Sequence, residues 1–156
     1  EIWACDLIPT MLSQARSMQN GTRNVHLFAA DVRQLPLRHS MFTKILLVGV
    51  LQCLDGIDQV QRALLGLSQV IRRGGSLWAG WILDAEKRDA YFEGIDRLSA
   101  DDSAKEQIRD RNRRALWLRK DEFTEVGQSA GFAVHMQKLS GSPWQTPYMF
   151  DAILTR

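Results

Sequence analysis

Two carboxylates, Asp6 and Asp31, are the residues of this chain whose type and position best fit ligand chemistry. Each follows a short apolar run of strand type, residues 2–5 and 25–29, so each stands where a strand gives way to a loop. A carboxylate there can accept both hydroxyls of a ribose, and a second one, one strand along, can accept the amino group of an adenine. Nicotinamide dinucleotide folds use the same device, so the pair fits adenosine in general. Taken singly, each reads as a strand-end or turn carboxylate. A third point of interest is residues 48–53, just past an aliphatic run, where Gln52 could orient an acceptor by hydrogen bonds but has no proton-accepting role. A fourth is Asp84, after the next strand, a carboxylate able to take a proton. Other chemistries find no footing. His26, His39 and His135 lie on different elements with no second ligand at metal spacing, so no metal is assigned. No Gly-x-Ser-x-Gly elbow offers a serine nucleophile.

The elements that must position these residues follow from periodicity. After the strand at 2–5, Leu7, Met11, Leu12, Ala15 and Met18 fall at helical spacing, with Pro9 suited to the first turn and Asn20-Gly21 as the stop. Residues 25–29 form a strand, and a polar loop runs through Pro36 to residue 40. Residues 44–50 are a nearly continuous aliphatic run, the pattern of a strand buried on both faces of a parallel sheet. A helix over 57–73 carries Val60, Leu64, Leu67 and Ile71 on one face and ends at Gly74-Gly75. A strand spans 76–83, a charged helical insert spans 84–119 at the periphery, and a helix spans 120–130 with Phe123 and Val126 inward. Strands at 133–139 and 148–154, joined by a Gly/Ser/Pro loop at 140–147, close the chain. Alternating strands and helices predict an α/β, Rossmann-like, doubly wound and mostly parallel sheet, with an antiparallel hairpin at the C-terminus. Ligands in such sheets bind beyond the carboxyl ends of the strands, which is where the four points above fall.

Composition bounds the rest. A chain of 156 residues, 45% hydrophobic, is one domain, with enough core to need no staples. Cys5 and Cys53 are too few and too far apart for a disulfide framework or a zinc knuckle. Both lie in apolar runs where reduced, buried thiols are usual, and this predicts a reducing, cytoplasmic compartment. The longest apolar run, residues 45–51, falls far short of the ~20 residues of a spanning helix, so no membrane partner is expected. A net charge of +2 neither demands nor excludes nucleic acid. The run Arg109, Arg111, Arg113 and Arg114 could hold an acidic acceptor, but the acids around it favour a solvated helix face. Trp78 and Trp81, three apart on a regular strand, point to opposite faces, and core packing is the reading for both.

Longer words in the sequence are more specific than the two carboxylates. Ile2-Trp3-Ala4-Cys5-Asp6-Leu7-Ile8-Pro9-Thr10-Met11-Leu12, Ala30-Asp31-Val32-Arg33-Gln34-Leu35-Pro36-Leu37, Val48-Gly49-Val50-Leu51-Gln52-Cys53-Leu54 and Val70-Ile71-Arg72-Arg73-Gly74-Gly75 resemble, in order and spacing, the successive motifs of class I S-adenosylmethionine-dependent methyltransferases. The Ala130-Gly131-Phe132 turn and the final hairpin are similar to that family too, so the resemblance covers all but the insert. It implies S-adenosylmethionine as cofactor and a methyl-transfer activity. It also implies that Asp6 holds the ribose, that Leu7 neighbours the adenine, and that Asp31 accepts the adenine amino group while Val32 offers its backbone N–H to the ring. Val48 would meet the methionine part with its backbone, flanked by Leu51. The family's glycine-rich motif precedes this first strand, and the chain opens at Glu1 directly on strand-like sequence, so it reads as N-terminally truncated. Phe42-Thr43-Lys44 departs from the Phe-Asp that often opens the aliphatic strand in the family.

Two rival readings remain beside methyl transfer. One is a nicotinamide-dependent oxidoreductase, since Asp6 and Asp31 fit adenosine generally; its short-chain type would need Tyr-x-x-x-Lys and is excluded, because Tyr91 is followed four places on by Ile95 and Tyr148 by Ala152. The other is a non-catalytic fragment or interaction module of the same fold that does not bind the cofactor alone. For the acceptor, Tyr91, Phe92 and Trp117 give the insert aromatic surface, which favours a small molecule over DNA or RNA.

Overall fold

The computed structural model describes residues 1–19, 24–137 and 146–156. Its elements run β1 (Ile2–Asp6), α1 (Pro9–Ser17), β2 (Val25–Ala29), β3 (Phe42–Val48), α2 (Ile57–Val70), β4 (Ile71–Leu83), α3 (Arg88–Asp96), α4 (Asp102–Arg113), α5 (Lys120–Ser129), β5 (Ala133–Gln137) and β6 (Met149–Thr155). This is the order read from the periodicity, with the insert folded as α3 and α4. The Asn20-Gly21 stop, residues 138–139 of the predicted strand and positions 140–145 of the predicted loop lie outside the described residues.

The architecture is mixed α/β. β1 and β2 pair in parallel, with Asp6 opposite Ala29. β3 and β4 pair in parallel, and the terminal hairpin of β5 and β6 joins them antiparallel in the order β3-β4-β6-β5. The described strands therefore fall in a two-stranded and a four-stranded sheet. The core lies on one face of the larger sheet. Val60, Leu64 and Leu67 of α2 and Phe123 of α5 pack there on Leu47, Leu77, Ala79, Phe150, Ala152 and Leu154. Full burial of one such side chain stabilises by roughly 1.5–3 kcal/mol, so this layer dominates the stability of the molecule.

The expectation that residues 44–50 are buried on both faces fails at Leu46, which is 70% exposed. The helices α2 and α5 cover only the face of Leu47, and Leu46 aligns across the ladder with Trp78 and Ile153, all three exposed. The helix expected over 57–73 ends at Val70, before the glycines. Ser40 and Met41 donate their N–H groups to the Gln69 and Val70 carbonyls, so the preceding loop caps the helix and Ile71 turns into strand. Gly74 and Gly75 then lie within β4, where a side chain on Gly75 would stand 2.9 Å from the Thr43 carbonyl oxygen.

Candidate functional site

The four points singled out in the sequence all lie at carboxyl ends of parallel strands. Asp6 ends β1, and its Oδ1 accepts the Ile8 N–H at 2.8 Å, which turns the chain toward Pro9 and α1. Its Oδ2 has no hydrogen bond among the described residues. Leu7, immediately beyond, is 64% exposed. Asp31 stands two residues past β2, on the neighbouring strand end. Its oxygens are held by Arg33, with Nε at 2.9 and 3.0 Å, a terminal nitrogen at 2.6 Å and the backbone N–H at 2.8 Å. The Arg33 side-chain hydrogen bonds, helped by its backbone N–H, hold the Asp31 carboxyl below the usual carboxylate range. Arg33 also donates to Gln59 Oε1 of α2 at 2.8 Å, so this loop is tied to the helix. Val32 and Leu35 of the same loop pack against the main core, while the Val32 N–H meets no acceptor among the described residues.

Val48 ends β3, half-exposed, and Gly49 turns the chain there in the left-handed region with φ 68°. Leu51 does not face this opening. At 2% exposure it is enclosed in the core, because the 3-10 turn Leu51–Cys53 directs it inward, and it backs the wall. The Gln52 carbonyl accepts the Leu116 N–H at 2.9 Å, which brings the end of the insert across the tip of β3.

Asp84 is 2% exposed at the end of β4. Its Oδ2 lies 2.5 Å from Lys120 Nζ, and its Oδ1 accepts the Glu86 N–H at 3.1 Å. Leu118 bridges to Asp84 as a short parallel strand, with its N–H on the Leu83 carbonyl. Asp84 thus joins β4, the start of the insert and the start of α5. Lys120 gave no signal of its own in the sequence, since a helix-opening lysine is ordinary; its role depends on contact across the fold.

The insert differs from its sequence reading. Tyr91 is fully buried and packs edge-on against Phe92, Trp117 and Tyr148 at centroid separations of 5.5, 5.2 and 5.4 Å. These rings form a small cluster of their own in which Tyr91 is enclosed, while Phe92, Trp117 and Tyr148 stay partly exposed. As the surrounding acids suggested, Arg109 pairs with Asp96 and Glu106, and Arg113 with Glu106 and Asp110, so two of the four arginines of the basic run are held by neighbouring carboxylates. Trp78 and Trp81, read as core, are instead among the exposed large side chains. The cysteines are free and also exposed, because β1 has little covering and Cys53 sits in the turn at the tip. Among the described residues no group of three or more His, Cys, Asp or Glu could hold a metal, and no helix is long and apolar enough to cross a membrane.

Solved structures share this fold at low identity. A SAM-dependent methyltransferase of Thermotoga maritima, a possible histamine N-methyltransferase, aligns over 99% of this chain and 72% of its own, with 17% identity and a TM-score of 0.66. A protein from Pyrococcus horikoshii aligns over 99% and 71%, with 13% identity and a TM-score of 0.73. Magnesium protoporphyrin IX methyltransferase of Synechocystis, solved with bound SAH, aligns over 97% and 61%, with 12% identity and a TM-score of 0.64. No curated protein matches the sequence. Residues 1–79, from β1 through most of β4 and including Asp6, Asp31 and Val48, match a family model described as a methyltransferase domain. With half of its length matched and the fold of the SAM-dependent enzymes, the chain belongs to the methyltransferase domain family.

Proposed function

We propose that this chain binds S-adenosylmethionine and transfers its methyl group to a small-molecule acceptor. The observation that carries the reading is the juxtaposition, at the ends of adjacent parallel strands, of Asp6 with an open carboxylate oxygen and of Val32 with an open N–H, Asp31 standing between them in sequence. Those groups fit an adenosine: Asp6 takes ribose hydroxyls, the Val32 N–H meets a ring nitrogen, and Asp31 has lone pairs left for an amino group even while Arg33 orients it. Leu7 supplies apolar contact, and the Val48 backbone at the tip of β3 serves the amino-acid end. The bound cofactor supplies an electrophilic methyl group on a sulfonium. The work of the protein is then to hold donor and acceptor in line, an effect that can supply on the order of 7–11 kcal/mol.

Asp84, the proton acceptor read from the sequence, has both oxygens engaged, and its geometry supports a structural corner better than a base. Replacing it with Asn weakens the Lys120 contact and costs roughly 1–3 kcal/mol of stability. A loss of turnover at unchanged stability, with cofactor affinity intact, would restore Asp84 as the base.

Calorimetric titration with S-adenosylhomocysteine and with NAD tests the main reading. Binding of the first and not the second is expected, and Asp6→Ala should abolish it. The second reading, a fold that does not bind the cofactor alone, is favoured by one observation: Asp6 and Val48 belong to different sheets. Absence of S-adenosylhomocysteine binding by a folded chain would select it.

A further inference from the structure

β4 departs from regular strand geometry at the carboxyl end it shares with β3. Between Ala79 and Ile82, the residues Gly80 and Trp81 stand opposite the single residue Asp151 of β6, the count of a β-bulge. Asp151 is almost fully buried, and a buried carboxylate must be hydrogen-bonded. Its Oδ1 accepts the Trp81 N–H at 2.8 Å and its Oδ2 accepts the Trp78 Nε1–H at 3.0 Å. These bonds hold Trp81 at φ 60°, a conformation that L side chains rarely adopt and that costs stability unless the surroundings enforce it.

What the arrangement produces is an indole that is 49% exposed beside Val48 and Gly49. Trp81 Cε3 lies 3.9 Å from where a Cβ on Gly49 would stand, and Gly49 has no side chain to cover the ring. Gln52 Nε2 lies 3.8 Å from the same point. Gln52 Oε1 is buried without a hydrogen-bond partner, and Nε2, on the open side of the amide, has no acceptor among the described residues. A ring face and an amide donor thus flank one glycine at the strand tips.

We infer that Trp81 and Gln52 form the acceptor subsite and that the acceptor is a neutral, planar heteroaromatic small molecule. Its ring stacks on the indole, and a ring nitrogen or carbonyl oxygen accepts from Gln52 Nε2. Offset stacking with a fixed indole selects for a flat π system, and the single donor selects for an acceptor atom on it. This inference rests on the methyl-transfer reading for the word acceptor, but not for the binding it describes.

The test uses three probes: quinoline, which has ring and acceptor atom; naphthalene, which has the ring alone; and 1-decalone, which has the acceptor atom without the flat ring. Each is titrated into the 156-residue chain while the indole N–H resonance of Trp81 is followed by NMR. Quinoline should shift that resonance saturably and bind tighter than either partial probe. Trp81→Asn, which tolerates the left-handed backbone and should melt no lower than the parent, should weaken quinoline about tenfold. Gln52→Leu should bring quinoline down to the affinity of naphthalene. The inference is overturned by a silent Trp81 resonance, by equal binding of 1-decalone, or by a Trp81→Asn affinity within about twofold of the parent. The first two readouts need no variant, so a misfolded substitution does not shelter it. S-adenosylhomocysteine is titrated into the same samples. Quinoline binding without it removes the methyl-transfer reading alone, and its binding without a quinoline response removes this inference alone.

Discussion

The β1–α1–β2 unit and the four-stranded unit carry the two halves of the candidate site, and they are built to different standards. α1 has no buried residue and four of the five β1 positions are exposed, whereas α2 buries six side chains against the larger sheet. Asp6 and Asp31 therefore stand on a thin layer, and Gln52 and Trp81 on a packed one. Local stability follows buried apolar contact, so the two regions should open at different free energies, with the strand ends of β1 and β2 near the low end. Ligand binding would then stabilise the first unit more than the second, because only the first has much to gain.

The largest effect that could break this contrast is in the core. Leu64→Ala, at a fully buried position of α2, should cost about 2–5 kcal/mol in urea unfolding, while Met11→Ala on α1 should stay within about 0.5 kcal/mol. Equal losses would mean that the thin layer is as well packed as the thick one. Hydrogen exchange tests the same contrast without substitution. Amides of β1 and β2 should exchange at least about tenfold faster than those of β4 and β6, and S-adenosylhomocysteine should narrow the gap. Uniform protection along both sheets would refute the contrast.

The element order was legible because each helix and strand has its own period. What escaped was set by contacts between elements. The end of α2 shifted to Val70 because Ser40 and Met41, far earlier in the chain, supply its caps. The exposure of Trp81 escapes regular alternation because β4 bulges there, and the bulge depends on Asp151, seventy positions away in the sequence. A signal existed there: an aspartate in the middle of the apolar run Met149–Thr155 needs a partner. Asp6, Asp31 and Val48 were legible as strand ends, but the Arg33 clasp on Asp31 and the enclosure of Leu51 were not, since both arise from tertiary packing.

The Arg33 clasp sharpens the comparison, because through Gln59 it links the loop after β2 to α2. Asp31 is held below its ordinary value, so its folded pKa is lower than its unfolded one. The stabilising contribution is therefore complete above the unfolded value of about 3.9 and disappears as the pH falls through the folded one. The pair is part-exposed, so screening keeps the gain small, and added salt should reduce it further. Carbon NMR of the Asp31 carboxyl should show a midpoint below the ordinary aspartate value, and Arg33→Met should move it up toward that value, the backbone N–H of residue 33 still holding part of the shift. An unmoved midpoint would mean that the guanidinium does not hold the carboxylate in solution.

The smallest effect lies at Cys5 on β1. Desolvation raises its thiol pKa, and the neighbouring Asp6 charge raises it further, so near pH 8 less of it is thiolate than of a free cysteine. Alkylation by iodoacetamide, followed by mass spectrometry, should be slower at Cys5 than at an unstructured cysteine peptide, although the residue is exposed. Asp6→Asn should speed it by removing the like charge. If opening of the thin unit were frequent enough to dominate, Cys5 would instead react at the peptide rate and ignore that substitution. The alkylation rate therefore reports on the β1–α1–β2 layer as well as on one thiol: slow and Asp6-dependent labelling means that the layer is closed most of the time, with the Asp6 carboxylate held beside β2.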